Sequence, residues 1–599
     1  MTTRLAPPIA SLALAIALVG VTAGAYASPS RVERTSRASF IPALPQGCLS
    51  KDGGRPSAHV EPSIAIDPRD LTHVAVAWWT QQARRFGAKA TGIAVSRNAG
   101  RTWRRSVQPG VDSCTGNATY HVSGAHDEWL AFGVHSRLYV VSQSGKDGGG
   151  DAGGDEALWV SSSGDDGRTW RGPSRPMQGN PSFGIPDMSR ITADPRRHST
   201  LYLMAQVSDP SRYAAGNTLT GKAYFTRSTD AGQTWSAPVL AYAPPGNGFR
   251  APYFNRIHVL PNGDLVDVFD ERNGSFTVPG PDLPALVQSI RSQDGGASWS
   301  LPTLIATHGP TGMTADPEDK GPGLSMDPAT SSAMANDGTL YAAWEDPGDD
   351  SASNSTIHVA RSTDAGATWT ETAAPTKSNE AFQPTVAVAG DGTVGVTWYD
   401  TSADRPGDAA WAGEVEFAHS HDRGATWTRR RIAGPMDLRK AAPGVGDVGA
   451  GEESGAPLLG DYYGLAGLPH GFAAAYIVVP PLATTGPSEI AFARIGTSPH
   501  RATRRLRLHL TVHPKRVRAG VETRFGFVVR VRTNTGVHPV ADALVRLAGK
   551  RRRTGPRGRA AITTALRGRA TFRAFATKTG FRGASARIQV IRGGHGAAR

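Results

Sequence analysis

The chain has 599 residues, 39% of them apolar and only two of them cysteine, so it can bury several cores and is no disulfide-dense miniature. Its formal net charge of +14 arises wholly in residues 501–599, where 25 Lys and Arg meet two acids, Glu522 and Asp542, leaving −9 for the rest. No Cys/His spacing fits a structural zinc site, and no apolar run beyond the first thirty residues or so is long enough to cross a membrane.

In chain order, residues 1–27 read as a Sec-type signal peptide: Arg4 supplies a weak n-region charge, Ile9 to Val21 is apolar, and Ala25-Tyr26-Ala27 is a small-x-small cleavage site before Ser28. The mature protein is therefore expected to be secreted, with an uncleaved N-terminal anchor as the alternative. Residues 28–56 form an N-terminal arm. Cys48 and Cys114 are expected to make one disulfide, since an exported exposed thiol is a liability; two unpaired thiols are the alternative.

Residues 57–497 are organised by one short sequence, Ser-x-Asp-x-Gly-x-Thr-Trp. Copies begin at Ser96, Ser163, Ser228, Ser292, Ser362 and Ser420, spaced by 67, 65, 64, 70 and 58 residues, with Asn98 in place of Asp in the first. A fixed period of this size signals a repeat architecture. Asp and Gly give each copy the chemistry of a tight turn, and the Trp is an apolar plug. Alternating or apolar runs flank the copies, such as His73 to Trp79 before Thr91 to Val95, and Thr393 to Trp398 after Gln383 to Val388. Each period thus holds four antiparallel strands, which makes it a β-propeller blade. A boxless strand triplet, Gly460 to Leu468, Gly471 to Val479 and Ser488 to Arg494, brings the count to seven blades, the last closed by N-terminal residues near Cys48; six blades is the alternative. Residues recurring six times are structural, since a catalytic group is needed once.

Residues 498–599 form a basic second domain. Runs such as Phe525 to Val531, Ala543 to Leu547, Ala570 to Ala576 and Ala586 to Val590 alternate as strands of a small β-sandwich. The fold class is all-β: a propeller followed by that sandwich.

The repeated turn resembles the Asp-box, or bacterial neuraminidase repeat, of sialidase-like β-propellers, over roughly residues 57 to 497. The tail resembles the Ig-like sandwiches (bacterial Ig-like or carboxypeptidase-regulatory-like) appended to secreted proteins, from which its arginine content departs. In such propellers the turns lie on one face and a site opens on the other, at the starts of inner strands and the ends of second strands. Those positions carry His59 and Glu61, His126 to Glu128, Asp187 and Arg190, Asn255 and Arg256, Asp461 and Tyr462, and Trp79, Asp270 to Arg272, Glu345, Trp398 and Asp400. Carboxylates, arginines and aromatics together suit a sugar, whose rings stack and whose hydroxyls hydrogen-bond.

Phe254-Asn255-Arg256-Ile257-His258 resembles the first arginine motif of sialidases, with an intruding Asn and His258 in place of Pro. Tyr462-Tyr463-Gly464-Leu465-Ala466 resembles the segment of the tyrosine nucleophile, but the following strand (Ala475-Tyr476-Ile477) lacks the usual Glu. The resemblance implies Tyr462 or Tyr463, Asp187 and Glu271 as catalytic candidates. It implies Arg190, Arg256, Arg272, Glu61, Trp79, Glu345, Trp398 and Asp400 as substrate contacts, with Arg190, Arg256 or Arg272 converging near Tyr462. The expected activity is glycan recognition, with exo-sialidase-type hydrolysis or non-catalytic adhesion as the two outcomes. No metal, cofactor or nucleic-acid partner is expected, and the chain is expected to be a monomer. The basic domain is expected to meet an anionic cell-wall or membrane surface.

Overall fold

The computed structural model describes residues 31–38, 58–82, 85–117, 125–145, 156–180, 182–208, 220–246, 250–273, 284–309, 324, 329–347, 354–405, 407, 409–443, 457–483, 486–497, 507–533, 536–568, 571–578, 581 and 583–591. The expected signal peptide and Cys48 lie outside these; Cys114 is disulfide-bonded. The chain divides into a larger unit, Pro29–Ser498, and a smaller one that includes Pro499–Arg599.

The larger unit is a β-propeller. Its described residues hold seven four-stranded antiparallel sheets, named I to VII here, whose innermost strands begin at Ala58, His126, Ile185, Arg250, Ser331, Ala381 and Gly464. These strands neighbour one another in cyclic order, VII against I, so the ring is closed. Sheets I to VI each use four consecutive strands. Sheet VII takes its outermost strand, Arg31–Arg37, from the N-terminal arm, paired antiparallel to Glu489–Gly496. Closure thus falls nearer the start of the arm than Cys48.

The core of the propeller lies in the seams between sheets. Leu130, Phe132 and Val140 of sheet II pack on Ala75, Ile93 and Val95 of sheet I. Val141, Val160 and Met177 pack on Ile191 and Leu203 of sheet III, and every other neighbouring pair of sheets shares such a cluster. A strand between two seams is covered on both faces, which is why second strands such as Leu138–Ser144, Leu201–Ser208 and Gly471–Val478 are buried throughout. Outer strands are wet, as in Thr370–Glu371.

The six repeated turns join third to fourth strands. In each, the Ser hydroxyl oxygen accepts the Gly N–H at 2.7–3.0 Å. In the five copies with Asp, that carboxylate takes both N–H and hydroxyl of the Thr (Ser298 in the fourth copy). Two successive residues are left-handed, as with Ala231 (φ 63°) and Gly232 (φ 84°). Space demands glycine too: a Cβ on Gly296 would lie 2.0 Å from the Phe225 ring of the preceding sheet. The Trp indole N–H then reaches that sheet, Trp103 to Ser36 Oγ (3.1 Å), Trp235 to Ser174 Oγ (3.0 Å), Trp369 to Ser289 Oγ (3.2 Å) and Trp427 to the Ala373 carbonyl (2.7 Å). In four of the six copies the turn thus hydrogen-bonds one sheet to its predecessor; the Trp170 and Trp299 indole N–H groups are buried without a hydrogen-bond partner among the described residues, and Trp299 packs on Phe225 instead.

The smaller unit has two sheets around one core that includes Phe525, Phe527, Val529, Val545, Ile588 and Val590. One sheet comprises Leu508–His513, Glu522–Thr533, Gly536–Pro539 and Arg559–Ala565. The other runs Arg516–Arg518, Ala584–Ile591, Thr571–Thr577, Leu544–Leu547 and Lys550–Arg553 in spatial order.

Candidate functional site at the propeller mouth

The face opposite the turns is shaped by a bulge that recurs at one place. The inner strands of sheets I, II, III, IV and VI slip register between Val60 and Ser63, His126 and Trp129, Asp187 and Arg190, Tyr253 and Arg256, and Phe382 and Thr385. At each slip a non-glycine residue is left-handed: Glu61 (φ 55°), Asp127 (49°), Met188 (46°), Phe254 (57°) and Gln383 (56°). A left-handed L-residue carries a steric cost of about 1–2 kcal/mol, and bulges re-aim side chains beside sites.

Tyr462 reaches from sheet VII across the ring. Its hydroxyl donates to the Glu128 carbonyl of sheet II (3.3 Å), its ring meets the Trp129 ring edge-on at 5.6 Å, and it clusters with Tyr253 and Phe254 of sheet IV. A residue that touches sheets II and IV from sheet VII sits at the middle of the mouth.

Two arginines flank it. The Arg190 guanidinium lies 4.4 Å from the centre of the Trp129 ring and 5.8 Å from that of Tyr462, and Nη1 donates to the Phe254 carbonyl (3.1 Å). Arg256, partly exposed, lies 5.5 Å from the same Trp129 ring. Neither has an ion-pair partner among the described residues. Burial, with Arg256 beside it, lowers Arg190 to about 9, and burial lowers Arg256 to about 10. The Asp267 carboxylate near Arg190 is fully buried without a hydrogen-bond partner among the described residues, and burial pushes it well above the ordinary range. His258 is held neutral by burial and by both arginines, and pairs with Ser332 Oγ at 2.8 Å.

The other half of the mouth is acidic. Glu61 accepts the Asp461 N–H at 3.0 Å; burial, then Asp461, Asp127 and Glu128, push its carboxyl well up. Glu128 is fully buried with neither carboxylate oxygen hydrogen-bonded among the described residues. Asp187, partly exposed, is raised by burial and by Asp127 and Glu156. His126 Nδ1 lies 2.7 Å from Asp127 Oδ2; burial opposes its charge, but Asp127, Glu156 and Asp187 raise it to about 9. Burial and the neighbouring acids also raise the Tyr462 phenol well above its ordinary value, with Arg190 opposing, so it is a neutral hydroxyl.

Chain similarity adds little. No model of a known protein family matches the sequence, and no curated protein sequence does. Solved structures of similar arrangement include the leech intramolecular trans-sialidase complexed with 2,7-anhydro-Neu5Ac (13% identity, 60% of this chain and 67% of that one, TM-score 0.38). Others are the Penicillium chrysogenum α-L-arabinanase complexed with arabinobiose (13%, 78% and 98%, 0.37) and a PL25 ulvan lyase (10%, 74% and 95%, 0.43). At these TM-scores the propeller assignment stands on the chain's own strand order.

Of the residues singled out in the sequence, Tyr462, Arg190, Arg256, Glu61 and Asp187 line the mouth. Arg272 does not join the arginine pair directly. It lies 5.2 Å from the Phe254 ring, whose other neighbour is Arg190 at 5.4 Å, and it pairs with Asp270 at 2.6 Å. Trp79 walls the mouth with its ring 5.9 Å from that of His126. Glu345 accepts the Gln383 N–H, and burial lifts it to about 7.

Four candidates are corrected. Tyr463, 1% exposed, packs edge-on against Tyr399 (5.1 Å) in the seam of sheets VI and VII. Glu271 is committed to the Tyr242 hydroxyl, Gln288 Nε2 and Arg250, because it faces the side of its strand opposite Asp270. Trp398, 1% exposed, is core between sheets V and VI, so it offers no stacking face. Asp400 takes the Trp398 indole N–H (3.2 Å) and the Ser402 N–H (2.9 Å), which makes it a turn cap. His126, Asp127 and Glu128 were legible as a polar rim, but Trp129 beside them was not singled out, and no motif marked the four as a group.

Proposed function

We propose that the propeller mouth of an exported chain binds a saccharide bearing a carboxylate, and that hydrolysis of its glycosidic bond is the reaction this site serves. One observation carries the reading: Arg190 and Arg256 both stand over the Trp129 ring, close enough for the charge of Arg256 to act on Arg190, without an ion-pair partner among the described residues. A buried guanidinium is ordinarily paired, and two forks side by side suit one planar carboxylate. Trp129 supplies the apolar wall for a sugar ring, and the acidic half offers hydroxyl acceptors.

For the chemistry, Asp187 is the proton donor to the leaving oxygen, since its carboxyl holds its proton and is reachable from solvent. Tyr462 is the attacking group, and Glu61 or Glu128, in the fraction that is ionised, takes its proton, in place of the Glu missing from the strand after it. One feature favours binding without turnover: the Tyr462 hydroxyl donates to a backbone carbonyl rather than to a carboxylate. Export is supported by Arg4, the apolar run Ile9 to Val21 and the Ala25-Tyr26-Ala27 site.

The test is turnover of a fluorogenic sialoside alongside binding on an array of acidic and neutral glycans. Acidic-glycan binding that vanishes in Arg190→Met and Arg256→Met supports the site; preference for neutral glycans sinks it. Turnover lost in Tyr462→Phe and Asp187→Asn, with binding kept, supports hydrolysis, and binding with no turnover leaves a lectin-like propeller.

A further inference from the structure

The outer face of the five-stranded sheet in the smaller unit is a carboxylate-free arginine comb. None of its five strands holds an Asp or Glu, and residues 501–599 carry 22 Arg against three Lys. Register places Arg551, Arg546, Phe575 and Ser585 in one row across four strands. Two residues along, Arg573 stands directly opposite Arg587. All six side chains are exposed, Phe575 at 50%, and none of the four arginines forms an ion pair among the described residues. Neighbouring strands are about 4.8 Å apart, and same-face residues along a strand about 6.8 Å. The guanidinium groups are therefore spaced like a repeating polymer of charge, not like one small-anion pocket.

Like charges directly opposite each other on a sheet are destabilising. Arg573–Arg587 and Arg546–Arg551 are two such pairs side by side, with no acid to relieve them. A bound polyanion turns that repulsion into binding energy and stabilises the folded state by mass action. We infer that this face docks an acidic polysaccharide, whose carboxylates pair with Arg546, Arg551, Arg573 and Arg587 while one sugar ring covers Phe575.

Three properties favour that partner. Arginine over lysine suits bidentate pairing with carboxylates. A bilayer surface calls for a broader apolar face, and the large apolar side chains exposed on these strands are Phe575 and Ile591 alone. Single-stranded nucleic acid is held by successive stacking aromatics, and this face exposes one. The proposal concerns the smaller unit alone and does not rest on the reading of the propeller mouth.

The experiment is binding of the full mature chain to polygalacturonate at about 0.1 M salt, with single-stranded DNA and anionic phosphatidylglycerol vesicles in parallel. Arg546→Gln/Arg573→Gln/Arg587→Gln should weaken polygalacturonate binding at least about tenfold, and Phe575→Ala about threefold. The triple variant Arg524→Gln/Arg530→Gln/Arg532→Gln removes equal charge from the other sheet and should lose less than about threefold. Polygalacturonate should raise the melting temperature of the wild type and not that of the first triple variant. That variant should itself melt no lower than wild type, which shows it folded. Equal losses in both triple variants would overturn the face in favour of net charge. Tighter retention of DNA or vesicles than of polygalacturonate would overturn the partner.

Discussion

The two ends of the propeller use the same acidic side chains in opposite ways. At the turn end, Asp165 and Asp230 stand in water and are saturated with hydrogen bonds. The Thr169 hydroxyl and N–H hold Asp165 at about 2, and Thr234 and Ser228 hold Asp230 there against slight burial. At the mouth, Glu61 and Glu128 are buried and Asp187 partly so, and burial and the shared neighbour Asp127 push all three up. A carboxylate whose bonds are all made adds stability and has nothing left to offer a ligand. One whose bonds are unmade weakens the fold and is free to act.

The largest expected effect separates these ends outright. Arg190→Met should lose acidic-glycan binding about 100-fold, or about 2.7 kcal/mol, while leaving unfolding free energy equal or higher, because it removes an unpaired buried charge. A matching loss of stability would mean that Arg190 is structural and the comparison false. Gly296→Ala should do the reverse. Its left-handed backbone and the Phe225 ring make it destabilising by roughly 2–4 kcal/mol in denaturant titration, with binding per folded molecule unchanged.

The ends should also separate by pH. Glu345 is raised to about 7, so its unfolded form ionises first. Its unfavourable contribution is absent below about 4.5, grows as pH rises to about 7 and stays complete above, up to about 3 kcal/mol. Glu345→Gln should flatten that arm of the stability profile. The turn aspartates run the other way: their stabilisation is complete above about 4 and is lost as pH falls through about 2. The smallest effect is Asp230→Asn, at about 0.5–1 kcal/mol of stability, since Asn98 already serves in the first turn. A penalty several times larger would show that charge, not hydrogen bonding, holds the turn.

The repeat architecture was legible because Ser, Asp, Gly, Thr and Trp each have a fixed task in a turn that recurs. The mouth was legible only as a band of polar positions. A strand sends neighbours to opposite faces, so Tyr462 and Tyr463, or Asp270 and Glu271, differ by one step of parity that a motif does not reveal. The bulges add a second slip of parity in five inner strands, and Glu61, Asp127, Met188, Phe254 and Gln383 share no residue type that announces it. That the N-terminal arm closes the last sheet was legible, but the place of its strand, Arg31–Arg37 and not nearer Cys48, was not, for a different reason. Arg31–Arg37 pairs with residues more than 450 positions away, and nothing local encodes that partner.

That strand has a consequence for how the molecule comes into being. Ser36 accepts from Trp103 of sheet I, the Ala38 carbonyl accepts from Arg105, and Arg37 pairs with Glu489 at 2.8 Å. The earliest part of the ring to leave the ribosome is therefore a clasp that cannot fasten until more than 450 residues have followed it. Until then sheet I has an open seam, and the chain waits on its own far end. A circular permutant that joins residues 31–38 after residue 497 would make the clasp a local hairpin. It should keep the same ring and close it sooner, which refolding rates would read directly.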